Sequence, residues 1–283
     1  METSLLPILS PSTHSAAWGA ILPLVFSLLG CGSNSAPIAH RASPETSTLT
    51  IAAASNLRFA LEELNARFCE ANPDCRLQMH YGSSGHLFAQ LIQQAPFDLF
   101  LSADTRYPQQ LVQRGAAAPA DYFEYAEGTL IAWVPSTSEL SLQTAGLTAL
   151  KSPKVVRLGI ANPRLAPYGT AAQQSLQNAG LWEDLMPRIV YGENITQVAH
   201  FIETGTVDAA ILAGSLTRSG RRNHRGQEWA IPTDQYDPIR QAGVITKHSE
   251  QPLLAARFRD WLLSAEGQAV LQQQGYASPK VKP

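Results

Sequence analysis

From Thr48 onward, apolar residues recur in two alternating rhythms. The run Leu49-Thr50-Ile51-Ala52-Ala53-Ala54 has the short, nearly continuous hydrophobicity of a buried strand, and Leu57, Leu61, Leu64 and Phe68 then follow at spacings of four, three and four. Those spacings place four side chains on one face of a helix and leave Glu62, Glu63 and Arg67 largely on the polar side. Next come a predicted strand at 76–81, a helix at 86–94 burying Leu87, Phe88, Leu91 and Ile92, a strand at 98–102, and a helix at 108–114 stopped by Gly115. Further strands are predicted at 130–134, 155–160, 188–191, 209–212 and 243–247, with helices at 170–178, 196–203 and 252–274.

Strands alternating with helices at this density imply an α/β fold whose sheets are covered on both faces. The chain is long for one small sheet, and the apolar strands at 130–134 and 243–247 lie about a hundred residues apart. We therefore expect a first lobe from residues 48–128 plus 240–283 and a second, inserted lobe from 129–239.

The first 48 residues follow neither rhythm. An apolar run at 19–29 ends at Leu28-Leu29-Gly30-Cys31 and gives way to sequence rich in Gly, Ser, Asn and Pro. A run this short, with a small residue before a cysteine, fits a secretion signal at 1–30 better than a membrane-spanning helix, although no Lys or Arg precedes Cys31. The Leu28–Cys31 tetrapeptide resembles the bacterial lipoprotein processing box, which implies a lipid on Cys31, set against the plainer reading of Cys31 as an ordinary buried residue. Residues 31–47 then form a flexible tether. The other two cysteines, Cys69 and Cys75, flank a turn-like stretch, so in an exported chain a local disulfide with a structural role is expected ahead of the alternative, two free thiols. Two cysteines offer too few ligands for zinc, and no direct protein–metal ligand is expected.

Composition narrows the function classes. With 45% hydrophobic and 16% charged residues the chain is globular, and a net charge of −2 provides no broad positive field for nucleic acid. It carries no finger, dinucleotide fingerprint or Walker loop, and no cofactor is expected.

The chemically informative residues stand just after predicted strands: Ser55-Asn56, Tyr81-Gly82-Ser83-Ser84-Gly85, the 162–169 loop through Pro167-Tyr168-Gly169, and Tyr191-Gly192-Glu193-Asn194-Ile195. Ligands of open α/β sheets bind beyond the carboxyl ends of strands, where helices begin with unpaired N–H groups and partial positive charge. Two such loops from each lobe can enclose one anion with neutral donors. Each piece has a plainer use: Ser55, Asn56 and Ser84 suit helix N-caps, Gly82 and Gly85 suit turns, and Tyr168 can pack beside Pro167.

Taken together, Ala52-Ala53-Ala54-Ser55-Asn56, Tyr81-Gly82-Ser83-Ser84-Gly85, the 95–104 segment around Pro96-Phe97-Asp98, Ala166-Pro167-Tyr168-Gly169, and Tyr236-Asp237-Pro238-Ile239 leading to 242–247 resemble the periplasmic molybdate-binding protein family over nearly all of residues 49–280. The resemblance implies the type II periplasmic binding protein fold, two α/β lobes closing on a tetrahedral oxyanion, molybdate or tungstate. It places ligand contacts at Ser55, Asn56, Ser84, Tyr168 and, through its backbone N–H, Ile195, with Ser83 able to exchange roles with Ser84. It also implies a monomer delivering its ligand to an ABC permease, in the periplasm or on the outer face of the cytoplasmic membrane, touching the membrane only through the lipid anchor. Ala213 departs from one branch of the family, which has an anion-donating tyrosine there; the other branch carries a tyrosine at the position of Tyr168. Rival readings are a receptor for sulfate or phosphate, for which Glu193 or Asp104 would have to accept a proton from the anion, and a hydrolase using Ser55 or Ser84 as nucleophile. The basic stretch Arg218, Arg221, Arg222, His224 and Arg225 reads as a solvated loop, or else as a permease-docking patch or an electrostatic guide for anions.

Overall fold

The computed structural model describes residues 47–218 and 226–279, so Cys31, the signal at 1–30 and the residues Arg221, Arg222, His224 and Arg225 lie outside the described residues. Among the described residues there are ten strands: β1 (Ser47–Ala54), β2 (Cys75–Gly82), β3 (Leu99–Ser102), β4 (Tyr122–Gly128), β5 (Leu130–Pro135), β6 (Leu158–Ala161), β7 (Ile189–Gly192), β8 (Ala209–Ala213), β9 (Gly226–Ala230) and β10 (Ile239–Ile245). The longer helices are α1 (Arg58–Ala71), α2 (Ser84–Ile92), α3 (Arg106–Gln113), α4 (Pro167–Asn178), α5 (Ile195–Glu203), α6 (Pro252–Leu263) and α7 (Ala265–Gln273).

The strands form two five-stranded mixed sheets, in the orders β2-β1-β3-β10-β4 and β7-β6-β8-β5-β9. In each sheet three neighbouring strands run parallel and the remaining two ladders are antiparallel: β1 pairs parallel with β2 and β3, and β6 with β7 and β8, while β10 opposes β3 and β4, and β5 opposes β8 and β9. The chain passes from the first sheet to the second at Thr129 and returns between Ala230 and Ile239.

Alternation along β1 explains how the first sheet is covered. Leu49, Ile51 and Ala53 face one apolar layer with the α1 stripe Leu57, Leu61, Leu64 and Phe68, and with Phe258, Leu262 and Val270 from α6 and α7. Ala52 faces the opposite layer, where Phe100, Leu87, Leu91 and Leu111 pack. The Phe68 and Phe258 rings meet edge-on at 5.1 Å between centroids, a favourable aromatic geometry.

Three expectations change. The helix expected at 252–274 is two helices, because Ser264 leaves helical geometry (φ −67°, ψ 166°) and turns its hydroxyl to cap α7 by accepting from Gly267 N–H. Strands β4 and β9 were not foreseen. Cys69 and Cys75 are free thiols, with sulfurs 3.5 Å apart, a thiol contact well beyond the ~2.05 Å of a disulfide bond. Burial, and then the adjacent Cys69 thiol, pushes the Cys75 thiol up to about 11.

Candidate functional site

Four of the parallel strands end at one small cavity. β1 delivers the chain into a short 3-10 turn at Ser55–Leu57, β2 into α2, β6 into the loop before α4, and β7 into α5. The cavity is lined by Ala54, Ser55, Asn56, Gly82, Ser83, Ser84, Ala103, Ala166, Pro167, Tyr168, Asn194 and Ile195, and its volume is about 10 Å³. A space this small holds a small ion at most and excludes a drug-sized ligand, whose pockets run ~300–1,000 Å³. Loops of the two sheets touch around it: Gly85 N–H donates to Leu165 C=O at 2.9 Å, and Thr196 Oγ1 donates to Ser55 C=O at 3.0 Å. Gly169 is required by close approach, since a Cβ there would lie 2.3 Å from Ala161 O at the end of β6.

The two serines at the start of α2 have different environments. Ser84 is the first helical residue, and its Oγ accepts the Ala103 N–H at 2.9 Å, so its own proton remains available. Ser83 occupies the N-cap position, yet its hydroxyl makes no capping bond; it is buried and has no hydrogen-bond partner among the described residues. Ser84, which suits an N-cap by residue type, stands one position inside the helix instead. Ser55 is buried and also lines the cavity. At α5 the Asn194 side chain accepts from Thr196 and Gln197 N–H at 3.0 and 3.1 Å, which leaves the Ile195 N–H uncapped at the first helical position.

The Asn56 side chain is engaged within the protein. Its amide nitrogen donates to Gln241 Oε1 at 3.0 Å and to Tyr276 Oη at 2.9 Å, and so is engaged beneath the cavity. Tyr276 Oη donates in turn to Asn56 C=O at 2.8 Å, and Ser215 Oγ reaches the same carbonyl at 3.2 Å. Tyr168 is fully buried, and its hydroxyl accepts from Gln241 Nε2 at 3.0 Å. Burial first, and then the neighbouring Tyr276, holds the Tyr168 phenol well above its usual range, so it stays protonated and able to donate. Gln241, Tyr125 and Tyr276 escaped the sequence reading because nothing in their local spacing marks them.

The lining contains no carboxylate, imidazole, thiol, lysine or arginine. Glu193 is exposed, and the Asp104 carboxylate is taken up by Arg106, Tyr107 N–H and Ser102. Ala213 ends β8 opposite Leu130 and is not part of the lining. A wider groove beside the cavity is bordered by Asp104, Arg106, Asp237 and Arg240. Its mixed charges make it a poorer enclosure for one anion than the small neutral cavity, where helix starts converge.

The profile of bacterial extracellular solute-binding proteins matches residues 49–277. The chain is 32% identical to the molybdate-binding protein ModA of Rhodobacter capsulatus over 80% of its length and 87% of the relative. It is 29% identical to a putative ABC transporter substrate-binding lipoprotein, YvgL, of Bacillus subtilis, covering 92% of this chain and 96% of that one. Among solved structures, the periplasmic molybdate-binding protein of Azotobacter vinelandii superposes with a TM-score of 0.77 at 30% identity, over 82% of this chain and all of the other. With its two mixed sheets and its cavity at the strand ends, the chain belongs to the bacterial extracellular solute-binding protein family.

Proposed function

We propose that this protein binds molybdate, and tungstate in the same manner, outside the cytoplasmic membrane and delivers it to the permease of an ABC importer. The observation that carries the reading is the buried, unpartnered Ser83 hydroxyl in a cavity lined only by neutral groups. A dianion there gains donors from Ser55, Ser83, Ser84 and Tyr168, and from N–H groups at the starts of the helices, with no fixed countercharge to desolvate. Asn56 contributes through its backbone N–H in this scheme, and Ile195 likewise. The lack of an acceptor among the lining side chains other than hydroxyl and amide oxygens favours an anion without a proton over hydrogen phosphate. The lack of a lining base disfavours Ser55 or Ser84 as a nucleophile, so the protein acts as a receptor and not as a hydrolase. Its molybdate-binding relatives name the ligand.

In this reading each sheet with its helices is one lobe, and the monomer closes on the anion. Full-length protein isolated from cells supplied with molybdate should retain about one molybdenum per chain through gel filtration, measured by elemental analysis; folded protein carrying none after saturation would refute the ligand. The lipoprotein name of the Bacillus relative supports a lipid on Cys31. A labelled lipid precursor should mark the chain and fail to mark Cys31→Ser, whereas equal labelling of both would remove the anchor.

A further inference from the structure

Beneath the cavity lies a chain of buried hydrogen bonds whose direction is fixed at one end. The Asn56 carbonyl can only accept, so Tyr276, 2.8 Å away, spends its single proton there. The Tyr276 oxygen must then accept from Asn56, which places the amide nitrogen of Asn56, and not its oxygen, at 2.9 Å. That same nitrogen faces Gln241 at 3.0 Å, so the Gln241 atom meeting it must be Oε1. Tyr125 lies 3.1 Å from the same Oε1, but its single proton also faces the Ser102 carbonyl at 2.9 Å, so the orientation of Gln241 is set by Asn56. The amide of Gln241 is thereby locked against reversal, since the opposite orientation would bring two N–H donors together. Its Nε2 is left pointing at the Tyr168 oxygen, 3.0 Å away. With one lone pair of Tyr168 filled by a donor, no protein acceptor takes the Tyr168 proton among the described residues.

We propose that Gln241 is a positioning residue that fixes the Tyr168 hydroxyl as a donor toward the cavity, and thereby sets the site for an oxyanion carrying no proton. Gln241 sits in β10 at an irregularity, where the register against β4 shifts between Gln241 and Ala242, and its side chain bonds both Asn56, in the turn after β1, and Tyr168, in α4. The space is filled closely, because a Cβ on Gly128 would lie 2.0 Å from Tyr168 Oη and 2.8 Å from Gln241 Nε2. The inference rests on the molybdate reading above.

The substitution Gln241→Glu separates polarity from packing. As a neutral acid, the introduced carboxyl donates to Tyr168 and accepts from Asn56, reproducing the native pattern. Once ionised it can only accept, and it draws the Tyr168 proton away from the anion. The other titratable groups packed around it are Tyr125 from β4, Tyr168 from α4 and Tyr276 from the C-terminal segment, all held neutral by burial, with the Asp104 charge acting on Tyr125. Molybdate titrations of the full chain from about pH 6 to about pH 9 should therefore show a flat affinity for the parent. Gln241→Glu should lose affinity as pH rises, by about ten- to a hundredfold across this range. In a Tyr168→Phe background the same substitution should cost less than threefold at every pH. Gln241→Met, an uncharged second variant judged in the same pair of backgrounds alongside melting curves, should likewise lose most of its effect without the Tyr168 hydroxyl. Equal losses in both backgrounds, or a pH-independent loss in Gln241→Glu, would overturn the proposal by making Gln241 a packing residue. A parent that fails to bind molybdate at any pH would instead refute the ligand, and the proposal with it.

Discussion

A serine hydroxyl buried without a partner costs about 1–3 kcal/mol, so Ser83 has a stability cost that only a ligand or water can offset. Ser84, one residue on, is already half satisfied by the Ala103 N–H. The two serines should separate experimentally. Ser83→Ala is expected to keep or slightly raise the melting temperature while weakening molybdate by roughly one to two orders of magnitude, the worth of a charge-assisted bond of about 1.5–3 kcal/mol. Ser84→Ala is expected to lower both, because it also strands a buried backbone donor. Unchanged molybdate affinity in Ser83→Ala, measured beside its melting curve, would remove that hydroxyl from the site. The sequence could show that a Ser-Ser pair opens a helix, but not which serine is N-cap and which is first in the helix; a one-residue boundary decides what each hydroxyl faces. Asn56 was legible as a residue at the right loop. Its side-chain partners were not, since Gln241 and Tyr276 lie 185 and 220 positions away.

The parts that hold these loops in place are single buried groups at element ends. Asp98, just before β3, accepts from Thr50 N–H with one oxygen and from Ser249 Oγ, Glu250 N–H and Gln251 N–H with the other, tying β1 to the turn that starts α6. Asp98→Ala strands those donors and should destabilise the fold by on the order of 3 kcal/mol in denaturant unfolding. A change under about 0.5 kcal/mol, the range of an ordinary surface substitution, would show that the carboxylate holds nothing. At this scale the α1 stripe was readable, because Leu57, Leu61, Leu64 and Phe68 carry an unbroken helical period and are all buried. The break at Ser264 was not, because the apolar period of α6 runs on into α7 and only the cap geometry interrupts it. β9 was hidden for a different reason: Gly226-Gln-Glu-Trp-Ala is an edge strand, half exposed, with no apolar run to announce it.

At the scale of the whole molecule, the two sheets repeat one arrangement, and the ends of their parallel strands converge on one cavity. The alternation of strands and helices in the sequence implied the α/β class. Strand order lies outside such a reading, since periodicity records which face of a strand is buried and not which neighbour it pairs with. The Azotobacter protein shares the fold at 30% identity, so the arrangement survives change at most positions. Loops of both sheets line one neutral cavity, the proposed seat of a tetrahedral dianion. Calorimetric titration of protein first stripped of bound ligand, with molybdate, tungstate, sulfate and phosphate in turn, tests it most directly. Molybdate and tungstate should bind with similar affinity and one ion per chain, and sulfate and phosphate should bind far more weakly; no heat with molybdate or tungstate, or sulfate bound as tightly, would contradict it.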